Sequence, residues 1–200
     1  YCRLSPDYLP SPESCLITGI TPDKVNADGI CEADFIKRLR AEFMVPDTIT
    51  VGYNSIGFDD EVIRSTLYRN LYDPFEREYM NGCSRWDIIN LVRATHDLRP
   101  EGIVFTTRNE ETGAPSFRLT DLTEENGIEQ EGAHDALVDV YATIAVARLI
   151  KEKQPKLFQW ALAHRGRRDI SREIDVLRHQ PFLNTQPMFV SEKGNTKPLL

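Results

Sequence analysis

The stretch EGAHDALVDVYATIAVARLI, residues 131–150, predicts a helix with small apolar residues along one face and an acidic residue within that face. Side chains three, four and seven positions apart share a helix face, so Asp139 belongs to a stripe of uncharged residues: Ala136, Ala142, Thr143 and Val146. A buried carboxylate without a partner destabilises a protein by several kcal/mol. Asp139 is therefore expected to be protonated, to pair with a cation from another element, or to bind a metal.

A second acidic residue leads an apolar stripe in YNSIGFDDEVIRSTLYRNL, residues 53–71. Asp59 precedes four residues at helical spacing: Val62, Ile63, Thr66 and Leu67. Aspartate is a common N-cap, and of two adjacent aspartates one can cap while the other points inward. Taken alone, this stretch is explained by capping as well as by function.

His134 stands five residues before Asp139, in a segment where Gly132 gives the backbone freedom. Inside a regular helix the two side chains would diverge by roughly 140°. In a loop before the first turn, His134 can instead lie over the face from which Asp139 projects. A lone loop histidine is usually a surface residue, but the two acidic stripes favour a site.

Two aspartates with a histidine suit hard divalent cations, because Mg²⁺ and Mn²⁺ prefer carboxylate oxygens. Two such ions about 3.5–4 Å apart can stabilise a phosphodiester displacement. A histidine with an ordinary pKa of about 6.5 can deprotonate the attacking water. The chemistry indicated is phosphodiester hydrolysis, for which at least one further acidic ligand is needed.

The composition predicts a soluble, cytoplasmic protein with a substantial core, because 40% of its 200 residues are hydrophobic and 28% are charged. No apolar run approaches the roughly 18 residues of a membrane span, and the first residues do not resemble a signal peptide. The four cysteines lack paired spacing, which favours reduced thiols. A net charge of −7 argues against broad adhesion to nucleic acid, although a local basic groove remains compatible with it.

Hydrophobic periodicity predicts a helix-rich chain with one convincing strand, TITVGYN at 48–54. Weak strand candidates are 1–4 and 103–106. Helices are predicted over 33–43, 59–71, 84–98, about 135–153, 156–165 and 168–177, with a short helix in 116–128 that ends at Gly127. The last twenty residues, with three prolines and little periodicity, are predicted to form a linker or tail.

Several ordered blocks are similar to a known family. YNSIGFDDEVIR resembles the second motif, and HDALVD the third motif, of the DEDDh 3′-to-5′ exonucleases. LITGITP, SRWDIINLVRA, LRPEGI and PSFRLTDLTEENGIE extend the resemblance to the bacterial exonuclease I family over about residues 1–175. The resemblance implies an α/β, ribonuclease-H-like fold with a mixed sheet flanked by helices.

The family's first motif, Asp-x-Glu on the opening strand, has no counterpart available in the chain. The chain is therefore expected to lack the family's first strand and to begin inside its second. The domain organisation expected is an exonuclease domain over 1–178 and a linker, or the start of a C-terminal domain, over 179–200.

The resemblance also implies roles for individual residues. Asp139 would ligate metal directly, Asp59 would serve the metal site partly through water, and His134 would be the general base. The cofactor implied is a pair of Mg²⁺ or Mn²⁺ ions. The turn at 16–21 would lie along the terminal nucleotide, with substrate contacts from Leu16, Thr18 and Gly19.

Further DNA contacts are expected from arginines and aromatics near the motifs, because single strands are held by phosphate contacts and base stacking. The candidates are Arg64, Phe75, Tyr79, Arg93 and Arg118. Trp86 is assigned to the core and Asp87 to capping its helix. Single-stranded DNA is the expected partner of a monomeric protein without membrane contact, and the family suggests single-strand-binding protein as well.

The expected activity is metal-dependent 3′-to-5′ hydrolysis of single-stranded DNA to mononucleotides, acting in DNA repair and recombination. Three alternatives remain at this point. The first is an exoribonuclease of the same superfamily, and the second is a catalytically inactive module that binds DNA ends or serves as a scaffold. The third is a helical domain in which Asp139 pairs with an arginine and His134 has no role.

Overall fold

The computed structural model describes residues 1–109, 113–128, 136–175, 177–185 and 196–199. The helices are α1 (Pro12–Thr18), α2 (Pro22–Asp28), α3 (Glu32–Phe43), α4 (Asp59–Arg69), α5 (Ile89–Leu98), α6 (Leu119–Glu125), α7 (Ala136–Lys153), α8 (Pro155–Ala163) and α9 (Arg167–Glu173), with 3-10 turns at Glu76–Glu78 and Met80–Gly82. The strands are β1 (Ile49–Gly52), β2 (Ser84–Asp87), β3 (Thr107–Asn109), β4 (Ala114–Pro115), β5 (Phe182–Thr185) and β6 (Thr196–Leu199). The fold is mixed α/β, as predicted.

The chain divides into two compact units. The first comprises residues 1–50 and 55–85, and the second comprises residues 51–54 and 86–200. Strands β1 and β2 each pass from one unit to the other, so their first halves belong to the first unit and their second halves to the second. The predicted division into 1–178 and 179–200 stays a prediction.

In the first unit, two short helices begin with the same local signal, a hydroxyl residue followed by proline. Ser11 accepts a hydrogen bond from the amide of Ser14, and Thr21 accepts one from the amide of Lys24. Proline at the first helical position costs no hydrogen bond there, because that amide has no partner inside the helix. Farther along this unit, α3 contacts α4, and each helix buries one large aliphatic residue, Ile36 and Leu67.

The core of the second unit is formed mainly by α5, α6, α7 and the loop that follows α5. Its buried members are apolar and recur at helical spacing: Ile88, Leu91, Val92, Ile103, Leu122, Val146 and Ile150. Trp86 packs against this cluster and meets Phe158 edge-on, which confirms its assignment to the core. Burial of these side chains supplies the main stabilisation of the unit.

The structure corrects the prediction of one helix over residues 84–98. Residues 84–87 form β2, which pairs with β1, and the helix begins only at Ile89. The amide of Ser84 donates to the carbonyl of Thr48, and the amide of Ile88 donates to that of Gly52. Chain positions therefore increase together along the two strands, and the pair is parallel. Pairing with β1 outweighs the helical periodicity of the first four residues.

Both weak strand predictions change, and so does the prediction of a linker or tail at the end of the chain. Residues 103–106 precede the strand β3 instead of forming it, and residues 1–4 contribute a single parallel bridge between Cys2 and Ile30. The segment predicted as a linker or tail contains β5 and β6, which pair antiparallel. Backbone hydrogen bonds hold these two strands together although their sequences lack hydrophobic periodicity. Among the described residues, no helix combines the length and the apolarity needed to cross a membrane.

Candidate active site

The first turn of α4 carries three consecutive acids, and they differ in burial. Asp59 is exposed, whereas Asp60 retains only 5% of its accessible surface. The structure therefore reverses the prediction that Asp59 leads the apolar stripe. The inward stripe runs through Asp60 and Leu67, seven residues apart, and neither aspartate is the N-cap, which is Phe58.

Two arginines bind the buried carboxylate of Asp60. Arg77 donates to one oxygen, and Arg85 donates to the other at 2.6 Å. Burial alone would raise the pKa of this carboxyl group, but the hydrogen bonds from Arg77 and Arg85 outweigh burial and hold the pKa below its ordinary value. Sequence analysis missed this group, although the spacing of Asp60 and Leu67 contained the signal.

Arg64, a candidate for DNA binding, contacts two acids and one aromatic ring. Its guanidinium donates to both oxygens of Glu78, at 2.8 and 3.0 Å, and pairs with Glu61. The guanidinium carbon lies 5.0 Å from the centre of the Phe75 ring, so two predicted site residues do come together. Its contact with DNA stays a prediction.

Phe75 and Tyr79 present aromatic surface to solvent, as a stacking role requires. Their exposed fractions are 50% and 62%. Asp73 accepts hydrogen bonds from the amide of Phe75 at 2.8 Å and from the hydroxyl of Tyr79 at 2.9 Å, so one carboxylate holds both residues. Exposed rings held in this way can stack on the bases of a single strand.

The predicted nucleotide turn begins at the end of α1. Leu16, Thr18 and Gly19 are all exposed. Gly19 has φ of 67° and donates its amide to the carbonyl of Cys15, which closes the helix in the left-handed conformation that glycine adopts without strain. The amide of the next residue donates to the hydroxyl of Thr18 at 3.3 Å.

In the second unit, the structure corrects the expected position of Asp139. This residue lies in the first turn of α7 and is exposed, whereas the buried residues of that helix are Ala142, Val146 and Ile150. The apolar stripe enters the core only from Ala142 onward, so the carboxylate of Asp139 is not desolvated within it. Exposure removes the penalty that made a partner necessary, and it leaves the carboxylate accessible to a ligand.

His134 lies outside the described residues, as do Gly132 and the other residues of 129–135. Among the described side chains, no group of three or more histidine, cysteine, aspartate or glutamate residues could hold a metal ion. Asp59 and Asp139 each expose carboxylate oxygens of the kind that Mg²⁺ prefers.

The remaining candidate arginines differ in exposure. Arg118 is exposed at the N-cap of α6, as a phosphate contact requires. Arg93 is half-buried and donates to Asn90 at 3.2 Å, and its Nε atom is buried without a hydrogen-bond partner. Burial lowers the pKa of the Arg93 guanidinium, while Tyr53 and Asp87 oppose that change.

Asp87 is not the N-cap of α5, which is Ile88, but its carboxylate binds the first amide of that helix and also the segment that follows β1. Its Oδ1 atom accepts from the amide of Ile89 at 3.1 Å and from the amide of Asn54 at 2.8 Å. Asn54 has φ of 56°, a conformation that asparagine tolerates better than most residues. The neighbouring Tyr53 donates its hydroxyl to the carbonyl of Phe117 at 2.7 Å.

Comparison with known proteins identifies the family. The family model described as "Exonuclease" (RNase_T) matches residues 1–147. The chain belongs to the exonuclease family. It is 49% identical to exodeoxyribonuclease I of Haemophilus influenzae over 195 residues and 47% identical to that of Escherichia coli over 196 residues. Each alignment covers 98% of this chain and 41% of the relative, so the chain spans less than half the length of these curated relatives.

The structure of the chain is also similar to solved structures of exonuclease I. E. coli exonuclease I in complex with a dA16 oligonucleotide matches with a TM-score of 0.92 and 47% identity over 99% of this chain and 42% of that one. Two other E. coli exonuclease I structures match at 46% identity. One is an SSB/exonuclease I structure with an inhibitor, with a TM-score of 0.89, and the other is a zinc-bound complex with single-stranded DNA, with a TM-score of 0.90. These matches confirm the ribonuclease-H-like exonuclease fold.

Proposed function

We propose that the intact protein hydrolyses single-stranded DNA from its 3′ end and releases mononucleotides in a reaction that depends on Mg²⁺ or Mn²⁺. The observation that carries the proposal is the match to E. coli exonuclease I bound to an oligonucleotide, with a TM-score of 0.92 over 99% of this chain. A role in DNA repair and recombination, and a cytoplasmic location, belong to the same proposal.

Asp59 and Asp139 are the metal-site acids in this proposal. Both are exposed and lie in the first turns of α4 and α7, where a helix favours negative charge and leaves its first amides available. Further acidic ligands would come from outside the described residues. Bound divalent ions would stabilise the negative charge that develops on the phosphate oxygens.

His134 is the proposed general base. An imidazole with an ordinary pKa of about 6.5 is half neutral near that pH, so at pH 7 to 8 it can accept the proton of the attacking water. The assignment is supported by the sequence HDALVD at 134–139, in which His134 and Asp139 have the spacing of the family's third motif.

The DNA strand is proposed to contact two surfaces of the first unit. Leu16, Thr18 and Gly19 would lie along the terminal nucleotide, and Phe75 and Tyr79 would stack on bases, with Arg64 behind Phe75. Arg93 and Arg118 are the proposed phosphate contacts of the second unit. Single-strand-binding protein is a proposed partner, supported by the SSB/exonuclease I structure among the matches, and the protein is proposed to be a monomer.

Two substitutions in the intact protein test these roles. Asp139→Asn removes one metal ligand charge, so it should lower turnover of 3′-labelled single-stranded DNA by at least about 10³-fold and weaken Mn²⁺ binding in calorimetry. Glu152→Gln, an exposed acid near the other end of α7, is the matched control and should keep full activity. Full activity in Asp139→Asn would reject the assignment.

His134→Ala should separate proton transfer from metal binding. Loss of a general base lowers kcat by about 10²- to 10⁴-fold, whereas Mn²⁺ affinity should change little. If His134→Ala weakens Mn²⁺ binding as strongly as Asp139→Asn, His134 acts as a ligand and not as the base.

A further inference from the structure

A chain of ion pairs surrounds the start of α4. It begins at Thr50 in β1, whose hydroxyl accepts from Arg77 at 3.0 Å. Arg77 also pairs with one oxygen of the Asp60 carboxylate, and Arg85 pairs with the other. The chain of contacts ends at Glu61, which lies in α4 next to Asp60. The intermediate links are Arg85 to Glu78 at 3.0 Å, Glu78 to Arg64 at 2.8 Å, and Arg64 to Glu61. Three arginines and three acids make the group electrically neutral.

The burial of this group is greatest at Asp60 and Arg77. The side chains of these residues are 7% and 2% exposed, and Asp60 accepts one arginine at each oxygen. Such a carboxylate has little rotational freedom, because movement of one oxygen breaks a charge-assisted hydrogen bond in a poorly solvated place. The side chain of Asp60 is therefore held in one orientation.

The ion pairs of Asp60 connect the start of α4 to other parts of the unit. Its N-cap, Phe58, provides no side-chain hydrogen bond, and the amides of Phe58 and Asp60 both donate to the carbonyl of Ser55. The side chain of Asp60 thus links the first turn to β1 through Arg77 and to the start of β2 through Arg85. These ion pairs add side-chain contacts to a helix start whose N-cap residue contributes none.

Asp59 directly precedes Asp60, and its side chain is on the exposed side of the same helical turn. Successive helical side chains are about 100° apart, so a rotation or shift of Asp60 moves the Asp59 carboxylate with it. A metal ligand must be held within about 0.5 Å of its productive position. We propose that Asp60, fixed by Arg77 and Arg85, is a positioning residue that holds the Asp59 carboxylate in place for metal binding.

This inference rests on the metal-site role proposed for Asp59, and its test is Asp60→Asn in the intact protein. Groups that orient metal ligands typically change metal affinity by about 10- to 100-fold when they are lost. The variant should therefore raise the Mn²⁺ dissociation constant in calorimetry, and the half-saturating Mg²⁺ concentration for cleavage, by at least about tenfold. KM for DNA should change less than about threefold, because the two arginines that bind Asp60 directly, Arg77 and Arg85, are not among the proposed DNA-binding residues.

Glu32→Gln is the matched control. Glu32 accepts from Arg69 at 2.8 and 2.6 Å and from Asn70 at 2.9 Å, so this variant weakens a charged contact at the opposite end of the same helix. It should leave Mn²⁺ binding unchanged. Because Asp60→Asn can unfold the protein, Arg85→Gln provides a milder change, as the Arg85 side chain is 27% exposed. A smaller weakening of Mn²⁺ binding in the same direction is expected from it.

The outcomes separate positioning from stability. If Asp60→Asn and Arg85→Gln lower the melting temperature but bind Mn²⁺ as the wild type does, Asp60 has only a structural role and the inference is overturned. Asp59→Asn tests the proposed function separately. If the wild-type protein is active and Asp59→Asn binds Mn²⁺ as tightly as the wild type does, the proposed role of Asp59 fails, and this inference fails with it. Weakened Mn²⁺ binding in both variants, with Glu32→Gln unchanged, supports the positioning role.

Discussion

At the scale of single residues, neighbouring acids have opposite environments. Asp59 is exposed while Asp60 is buried against Arg77 and Arg85. The sequence predicted that one of the two would point inward, because adjacent helical positions face different directions. The inward position was assigned to Asp59, because helical spacing is compatible with either aspartate facing inward. The choice depends on Arg77 and Arg85, which come later in the chain and pair with Asp60.

The buried ion pair predicts a pH dependence of stability. The pKa of Asp60 is below its ordinary value in the folded protein, so its stabilisation is complete above the unfolded pKa of about 3.9 and is lost as the pH falls through the lower folded pKa. Asp60→Asn should lower the free energy of unfolding by about 3 kcal/mol at pH 7. Urea titrations should show this difference shrinking below about pH 4. An equal difference at pH 3 and pH 7 would contradict the charged pairing.

A buried hydroxyl provides a second residue-scale prediction. Tyr53 donates to the carbonyl of Phe117 at 2.7 Å, and burial raises the pKa of its phenol. Tyr53→Phe leaves that carbonyl without its donor and should lower the free energy of unfolding by about 1–2 kcal/mol. Tyr79→Phe, which removes an exposed hydroxyl, should change it by less than about 0.5 kcal/mol in the same urea titration. Equal effects would show that the Tyr53 hydrogen bond does not stabilise the fold.

At the scale of elements, helices with strong periodicity were predictable and short strands were not. The spacing of apolar residues located α3, α4 and α7 to within about two residues. Strand β2 was missed because its pairing with β1 depends on residues 36 positions earlier, as between Ser84 and Thr48. Strands β5 and β6 were missed for the same reason, since a short pair without alternation leaves little local signal.

Residues on the two sides of the core boundary along α7 should differ in how much their replacement by alanine lowers the free energy of unfolding. Ile150 is 1% exposed, whereas Leu137, on the same helix, is 57% exposed. Ile150→Ala should lower the free energy of unfolding by about 2–5 kcal/mol through lost burial and a cavity. Leu137→Ala should change it by less than about 0.5 kcal/mol. Similar losses in chemical denaturation would show that the first turn of α7 is also packed.

At the end of α6, a substitution of Gly127 should change stability through backbone strain and not through side-chain packing. Gly127 has φ of 65°, and a Cβ atom at this position would meet no atom within 4 Å. Gly127→Ala should therefore cost about 1 kcal/mol through backbone strain alone. Gly57→Ala, also in open space but without the left-handed conformation, is the control and should not destabilise. If the two variants have equal melting temperatures, the left-handed end of α6 is not maintained in solution.

At the scale of the whole molecule, the match to exonuclease I structures confirms the predicted fold and family. The quoted motifs made both predictable because they recur in order along the chain. The environments of the candidate acids were not predictable, since a helical pattern does not reveal where a helix leaves the core. Asp139 shows this, because its position on an apolar stripe suggested burial although that turn is exposed.

The central claim is metal-dependent removal of nucleotides from the 3′ end of single-stranded DNA, with Asp139 as a metal ligand. The most direct test is cleavage of a 3′-end-labelled single strand by the intact protein, with Mg²⁺ and with EDTA. We predict that labelled mononucleotide is released only with Mg²⁺ and that Asp139→Asn abolishes the release. Absence of cleavage with Mg²⁺, or equal cleavage in EDTA, would contradict the claim.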